Sequence, residues 1–413
     1  MTAADTLLDT RSLDAAASGT LEGRKVLIIV ENLPVPFDRR VWQEATTLRR
    51  AGALVSVICP KMKGFEKSYE LLDGVHIYRH PLPVEANGAL GYLLEYGAAL
   101  FWETLLAWRI FFKHGFDTLQ GCNPPDLIFL VALQFRLFGV RYIFDHHDIN
   151  PELYEAKYGK RGFFWRLLCG LERLSFATAS VVISTNDSYR DIARRRGGRS
   201  EDDVFVVRSG PNLQRLKLCD PQPALKNGRK YLVGYVGVMG QQEGVDLLLE
   251  SVRHIVHDLG RADIQFCLVG GGPSLASLRA LSRDMGLDDY VTFMGRAPDD
   301  MLFAVLSTAD VCVNPDRVNP MNDLSTMNKI LEYMAFGRAI VQFDVKEGRY
   351  SAGEASLYAS PNDPIDFAEK VLALLEDEPR RRRMGEAGRR RVHESLSWEH
   401  QTPHLIAAYQ RAR

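Results

Sequence analysis

Short apolar runs recur along this chain, closed by glycine, proline or polar residues, and amphipathic stretches alternate with them. The first run, Lys25 to Val30 (KVLIIV), is what a strand covered on both faces of a parallel sheet requires. An amphipathic helix follows from Phe37 to Ala51, Gly52 ends it, and Leu54 to Cys59 reads as the next strand. The same pattern predicts strands at Val75 to Arg79, Phe116 to Gly121, Arg141 to Asp145, Val181 to Ser184 and Val204 to Val207. Asn123-Pro124-Pro125-Asp126 opens a helix with proline in its first turn, and further helices fall at Phe163 to Ala179 and Tyr189 to Arg196. Strand–helix–strand order makes this a Rossmann-like half. Periodicity then stops from Ser209 to Arg229, where Pro211, Pro221, Pro223 and Gly228 mark a linker.

A second series begins at once. Tyr231 to Val236, Ile264 to Val269, Tyr290 to Phe293, Ala309 to Val313 and Ala339 to Phe343 read as strands. A helix is expected from Val245 to His257, and helices from Asp363 to Leu375 and Pro379 to Val392 close the series. The division expected is a disordered tail at 1–23, a first domain at 24–210, a linker at 211–229 and a second domain at 230–396. A helix in 397–413 is expected to return toward the first domain. The fold class is α/β, two tandem Rossmann-like domains facing a central cleft.

Composition narrows the function classes. Of 413 residues, 46% are hydrophobic and 25% charged, as in ordinary globular proteins, and the net charge of −1 gives no field to draw in nucleic acid. Cys59, Cys122, Cys169, Cys219, Cys267 and Cys312 lack metal-like spacing and read as reduced thiols of a cytoplasmic protein. Met1 to Gly23 has no apolar segment and is no signal peptide. Leu90 to Phe112 is apolar but interrupted by Glu95, Glu103 and Arg109, which argues for a buried or partly interfacial helix instead of a membrane span. The loop after the first strand, ENLPVPF, has no glycine and carries Pro34 and Pro36, which disfavours a dinucleotide cofactor.

The densest candidate chemistry lies in Asp323 to Val341, DLSTMNKILEYMAFGRAIV. Ser325 or Thr326 is the expected N-cap of a helix that Gly337 ends. Ser325, Lys329 and Glu332 then share one side, with Asn328 beside them. Amides at such a helix start carry roughly half a positive charge and bind anions, while a carboxylate one turn deeper suits sugar hydroxyls. The alternative is an amphipathic helix with solvated Lys and Glu. Gly270-Gly271-Gly272-Pro273 would admit a phosphate closely, or serve as a tight turn. In the first domain, DHHDINPEL follows a strand, where parallel sheets bind ligands. That makes His146, His147, Asp148 and Glu152 candidates, with a surface turn as the alternative for His146. Adjacent histidines on a strand end point apart, so no metal site is expected. Lys157, Lys160, Arg161 and Arg166 surround Phe163, Phe164 and Trp165, a mixture that suits anionic lipid, with plain core packing an equal alternative.

Together these stretches resemble the family-4 retaining glycosyltransferases of GT-B fold. NKILEYMAFGRAIV is similar to the family's donor-binding helix and following strand. VVRSGPNL, GVMGQQEGVDLLLES, LVGGGPSLASL, VTFMGRAP and ADVCVNP follow in the family's order, and ENLPVPFDRRVWQEATTLRRAG resembles a bacterial surface-polysaccharide subgroup. The resemblance implies that Glu332 holds the donor ribose, that His147 and Asp148 lie beneath the reacting sugar, and that Arg296 lies near the nucleobase. The first glutamate of the family's pair falls at Leu324 and is missing, which turns attention to Asp323 and Ser325. The arginine and lysine that usually hold the diphosphate are replaced by Met239-Gly240-Gln241-Gln242-Glu243. Lys329, Arg208 and the amides near Ser325 would then supply the charge.

The expected activity is retaining, metal-independent transfer from a UDP- or GDP-linked sugar to a hydroxyl of a lipid-linked or polysaccharide acceptor. No cofactor is expected beyond that donor. His147, Lys329 and Glu332 are the expected catalytic residues. Arg208, Gly240, Gly271, Arg296, Asp323, Ser325, Thr326 and Asn328 are placed on the donor side, and Asn32, Asp148 and Glu152 on the acceptor side. The enzyme would be cytoplasmic and peripheral on an anionic membrane through Lys160, Arg161 and Arg166. A nucleotide-sugar 2-epimerase on the same fold, or a non-catalytic partner of a transferase, are the rival readings.

Overall fold

The computed structural model describes residues 19–82 and 88–412, with the side chains of 88–94 outside the description. It forms two compact units, one running to Ser209 and including Trp398–Arg413, the other spanning Gly210–Ser397.

The first unit is an eight-stranded sheet of β1 (Lys25–Val30), β2 (Leu54–Pro60), β3 (Tyr69–Leu72), β4 (Val75–His80), β5 (Thr118–Cys122), β6 (Arg141–His146), β7 (Val181–Ser184) and β8 (Val204–Val206). The order is β3-β4-β2-β1-β5-β6-β7-β8, parallel except for the β3–β4 hairpin. Alternation along β1 shows why the run is unbroken. Leu27 and Ile29 enter a core on one face, Val26, Ile28 and Val30 a core on the other. Helix Arg39–Arg50, capped by Asp38 accepting from the Val41 N–H, packs on the second face together with helix Trp398–Arg411. There Trp398 Nε1 donates to Thr47 Oγ1 at 2.9 Å. Helices Gly88–Lys113, Phe129–Arg136 and Phe163–Thr178 cover the first face. No helix among the described residues is long and apolar enough to cross a membrane. Within the expected tail, 1–18 lies outside the described residues, whereas 19–23 forms a turn whose Leu21 is buried and donates to the Ala51 carbonyl.

The second unit is a six-stranded parallel sheet of β9 (Tyr231–Val236), β10 (Ile264–Val269), β11 (Val291–Gly295), β12 (Val311–Asn314), β13 (Ala339–Phe343) and β14 (Ser356–Ala359), in the order β11-β10-β9-β12-β13-β14. Strand β9 pairs with both β10 and β12, so the topological switch point, where open parallel sheets bind ligands, lies between β9 and β12. The expected linker is built onto this unit. Leu213, Leu216 and Leu225 pack against its core, and Arg215 pairs with Asp299. Its prolines and missing periodicity signalled irregular backbone, which is a different property from detachment.

Candidate active site

At the switch point of the second unit, the chain past β9 is zipped to its neighbours by backbone. Gly237 N–H donates to Val269, Met239 N–H to Gly271, and Gly270 N–H to Gly295. A Cβ on Gly270 would lie 1.8 Å from the Gly237 carbonyl oxygen, and one on Gly272 would lie 2.5 Å from that of Met239. These two glycines are therefore consumed by loop-to-loop contact. Gly271 is the open member of the run, its nearest neighbour being Arg296 at 3.9 Å from a built Cβ. Gly240 N–H donates to Glu243 Oε2 at 3.0 Å, so that amide is already satisfied.

Helix Asn328–Ala335 starts differently from expectation. Its N-cap is Met327, with no side-chain cap bond, and Ser325 instead closes the preceding short helix Pro320–Leu324, its hydroxyl donating to the Met321 carbonyl. The N-cap position falls on Met327 and not on Ser325 or Thr326, because three residues, Ser325 to Met327, separate the two helices. Lys329 and Glu332 remain one turn apart on the helix, and Asn328 is exposed at its start. Asp323 is held by accepting from the Lys346 amide at 2.8 Å.

Lys329 is not a solvated cation. Its Nζ donates to Asp316 Oδ1 at 2.8 Å and lies 4.9 Å from the Tyr235 ring centre. The two side chains are 11% and 1% exposed. Burial alone would lower the ammonium, but Asp316, Tyr235 and Glu243 hold it above the usual lysine range. Burial raises the Asp316 carboxyl, and Lys329 offsets only part of that rise. Asp316 Oδ2 has no hydrogen-bond partner. Asp316, two residues past β12, is the residue here that the sequence reading missed; the signal was an acid just beyond a strand end in VNPDR.

In the first unit the corresponding end of β6 holds a buried polar network. Arg40 pairs with Glu44 at 3.1 Å and Asp145 at 3.0 Å, and donates to His147 Nε2 at 2.8 Å and the Val207 carbonyl at 2.8 Å. Gln120 donates to Glu44 and Asp145, and the Tyr409 hydroxyl donates to Gln120. Burial would raise Asp145, but Arg40 and His147 draw it well below the usual carboxylate range. Glu44 is raised, first by burial and then by the Asp145 charge. His147 Nε2 also lies 2.7 Å from Asp145 Oδ2. Arg40 only donates, so the neutral imidazole that accepts from it carries its proton on Nδ1; protonated, the ring donates from Nε2 to Asp145. Asn123 sets the loop, its Oδ1 accepting from the His147 and Asp148 amides at 2.6 and 3.1 Å. Burial raises the Asp148 carboxyl.

Other expected residues have structural partners. Glu152 is bound by both terminal nitrogens of Arg196 at 2.6 and 3.0 Å. His146, read as a surface residue in one alternative, is buried against Phe144, Phe176 and Tyr189, with Glu172 at 3.4 Å. Arg208 belongs to the first unit, is buried, and donates to Asp187 at 2.7 Å. Asn32 is exposed beyond β1, and Arg296 is exposed beyond β11. Arg40, Glu44, Gln120, Asn123 and Asp145 were missed; Arg40 and Glu44 at helical spacing on a buried face were the available hint.

Glu44, Cys122, Asp145 and His147 bring possible metal-ligand atoms within 4.8 Å of one another. Arg40 contacts three of these four residues, so a cation would have to displace a buried guanidinium.

Two Rossmann-like α/β sheets in tandem, of eight and six strands, make this the GT-B fold, which the solved structures below share. Two family models bear on the chain: "Glycosyl transferase 4-like domain" matches residues 38–210, and "Glycosyl transferases group 1" matches 230–377. The chain belongs to the group 1, family-4 glycosyltransferases, a retaining family. It is 23% identical over 351 residues to the 2-deoxystreptamine glucosyltransferase of Streptomyces kanamyceticus, covering 82% of this chain and 88% of that one. It also matches D-inositol 3-phosphate glycosyltransferases over about half to three fifths of their length, 59% for that of Thermomonospora curvata. Among solved structures, sucrose-phosphate synthase from Thermosynechococcus elongatus superposes with TM-score 0.77 at 22% identity, covering 94% and 98% of the two chains. Anabaena HepE in complex with UDP-glucose gives 0.72 at 16% identity, covering 94% and 99%.

Proposed function

We propose that this chain transfers a glycosyl group, with retention, from a nucleoside-diphosphate sugar to a hydroxyl of a lipid-linked or polysaccharide acceptor in surface-glycan synthesis. The observation that carries the donor side is the start of helix Asn328–Ala335 at the second unit's switch point, where Lys329 pairs with Asp316 and Glu332 follows one turn on. Negative charge grows on the leaving diphosphate, and backbone N–H groups with a buried ammonium are preorganised donors for it. Glu332 would bind the ribose, Arg296 and Gly271 would lie toward the base, and Asp323, Ser325, Thr326 and Asn328 toward the sugar. A UDP donor is favoured by the likeness to HepE, whose structure holds UDP-glucose. The leaving phosphate would accept the acceptor's proton, and His147 of the first unit is kept as a catalytic residue on the family resemblance. Arg40 supports a metal-independent reading, since it already occupies the one cluster capable of ligating a metal among the described residues.

The test is a panel of UDP- and GDP-sugars with hydroxyl acceptors, in chelator, reading nucleoside diphosphate release and the anomeric configuration of the product. Release with retention supports the proposal. Exchange of solvent deuterium into the sugar without release would assign epimerisation instead, and inertness toward every donor would leave a binding subunit.

A further inference from the structure

One helix layer of the first unit is apolar on the side where a solvated surface would be polar. Helices Gly88–Lys113, Phe129–Arg136 and Phe163–Thr178 lie side by side, the middle one packed against both others, with their inner faces in one core. Their outward positions carry large apolar side chains at helical spacing. On the first helix Phe101, Leu105 and Phe112 are 62%, 49% and 80% exposed. Leu133 and Leu137, a turn apart, are 40% and 92% exposed, and Phe163 and Leu167, also a turn apart, are 75% and 45% exposed. Trp108 joins the first two helices, stacking on Phe112 at 5.6 Å and meeting Phe138 edge-on at 5.7 Å. With neighbours of the same kind, the layer leaves on the order of 1,000 Å² of apolar surface, above the few hundred that monomers commonly expose.

The charge on this layer has one sign. Among the described residues, each exposed charged side chain on the three helices is Lys or Arg: Arg109, Lys113, Arg136, Arg166 and Arg173. Of the acids, Glu103 and Glu172 are buried and Glu95 is half-buried. Lys160 and Arg161 stand exposed just before the third helix, Arg161 bridging Glu155 and the Trp165 ring.

We infer that this three-helix layer docks in the interface of an anionic lipid bilayer, its apolar side chains among the upper acyl segments and its cations among the head groups. The basic rim selects the occupant. A second copy meeting this face about a two-fold axis would set these cations against themselves, whereas acidic head groups complement them. Each cation near such a surface contributes about 1 kcal/mol, and buried apolar area adds a part that salt does not screen. The inference extends the membrane side of the proposed function. Vesicle binding needs no donor, so its failure and the failure of the transfer reaction are separable.

The full chain is floated with phosphatidylcholine vesicles with and without phosphatidylglycerol, and its tryptophan emission is followed with brominated acyl chains. Binding to the anionic vesicles, with quenching by the brominated lipid, is expected. A Leu137→Glu/Phe163→Glu double variant should lose at least about tenfold in binding while keeping its melting temperature and its turnover of soluble substrates. Three results overturn the inference. One is no binding by the parent. Another is parental binding by the double variant, or binding without quenching that salt abolishes. The third is a parent that is dimeric in solution and becomes monomeric in the double variant.

Discussion

Replacing Lys329 tests whether the pair it forms is scaffold or machinery. Nζ and Asp316 Oδ1 are 2.8 Å apart with both side chains nearly enclosed. At an effective dielectric near 20 their attraction is about 6 kcal/mol, and desolvation of several kcal/mol per ion offsets much of it. Lys329→Met leaves Asp316 without its only hydrogen-bond partner among the described residues. The expected loss is therefore about 3–5 kcal/mol, the cost of an uncompensated buried charge. In a unit of this size that lowers the melting point by roughly 10 °C. Adding Asp316→Asn removes the orphaned charge, so the double variant should regain most of the stability. Turnover should not return. If the ammonium meets charge that grows toward the transition state, kcat stays down by about a hundredfold or more in both variants, with a smaller change in donor affinity. Calorimetric melting and steady-state kinetics on parent, single and double variants decide the matter. A stable double variant with parental kcat would refute the reasoning and leave the pair as scaffold.

Glu332→Gln should weaken donor affinity about tenfold with the melting point unchanged, because a charge-assisted bond to a hydroxyl is lost; calorimetric titration with the donor measures it. Arg40→Met should cost about 3–5 kcal/mol in urea unfolding, and Arg40→Lys should rescue little, since a lysine cannot reach Glu44, Asp145, His147 and the Val207 carbonyl at once. Burial pushes the Glu103 carboxyl up to about 8 from 4.5, and burial with Glu103 and Glu95 pushes Glu31 up to about 9. A raised carboxyl binds a proton in the folded state that the unfolded chain releases, so its stabilising effect is full at low pH and declines as pH climbs from about 4.5 through 8. Glu103→Gln should flatten that decline by roughly 4 kcal/mol at most by pH 8; equal pH–stability profiles for parent and variant would show that the burial is not costly.

What the sequence made legible followed from local signals. Strands such as KVLIIV and YLVGYV emerged with their ends in place, because a run buried on two faces has no other pattern. The edge strand Tyr69–Leu72 and the short strand Ser356–Ala359 did not, since half-exposed residues there carry little contrast. The helix bearing Lys329 and Glu332 was found, but its start was misplaced. Ser325 and Thr326 are good caps by composition, and only the three-dimensional path shows Ser325 spent on Met321. The partners were the hidden part. Nothing local links Lys329 to Asp316, Arg40 to Asp145 or Glu152 to Arg196, because strand order creates those contacts.

Those partners alter the electrostatics of the proposed reaction. Lys329 is matched by Asp316, Arg208 by Asp187, and Arg40 by Asp145 and Glu44. A diphosphate at the start of helix Asn328–Ala335 would approach an ammonium already neutralised by a neighbour. Two carboxyls stand around that ammonium, Asp316 and Glu243, and burial raises both. An incoming dianion raises them further, since like charge disfavours ionisation. The site can then release the ammonium to the phosphate by protonating an acid instead of by importing a second cation. Donor binding would accordingly be coupled to proton uptake, and affinity would weaken as pH rises through the raised carboxyl. Titration calorimetry in buffers of different ionisation enthalpy reads that proton directly. Asp316→Asn should abolish most of the uptake, and Glu243→Gln should take the remainder. Proton-neutral binding by the parent would mean that the diphosphate charge is met by amides and dipoles alone.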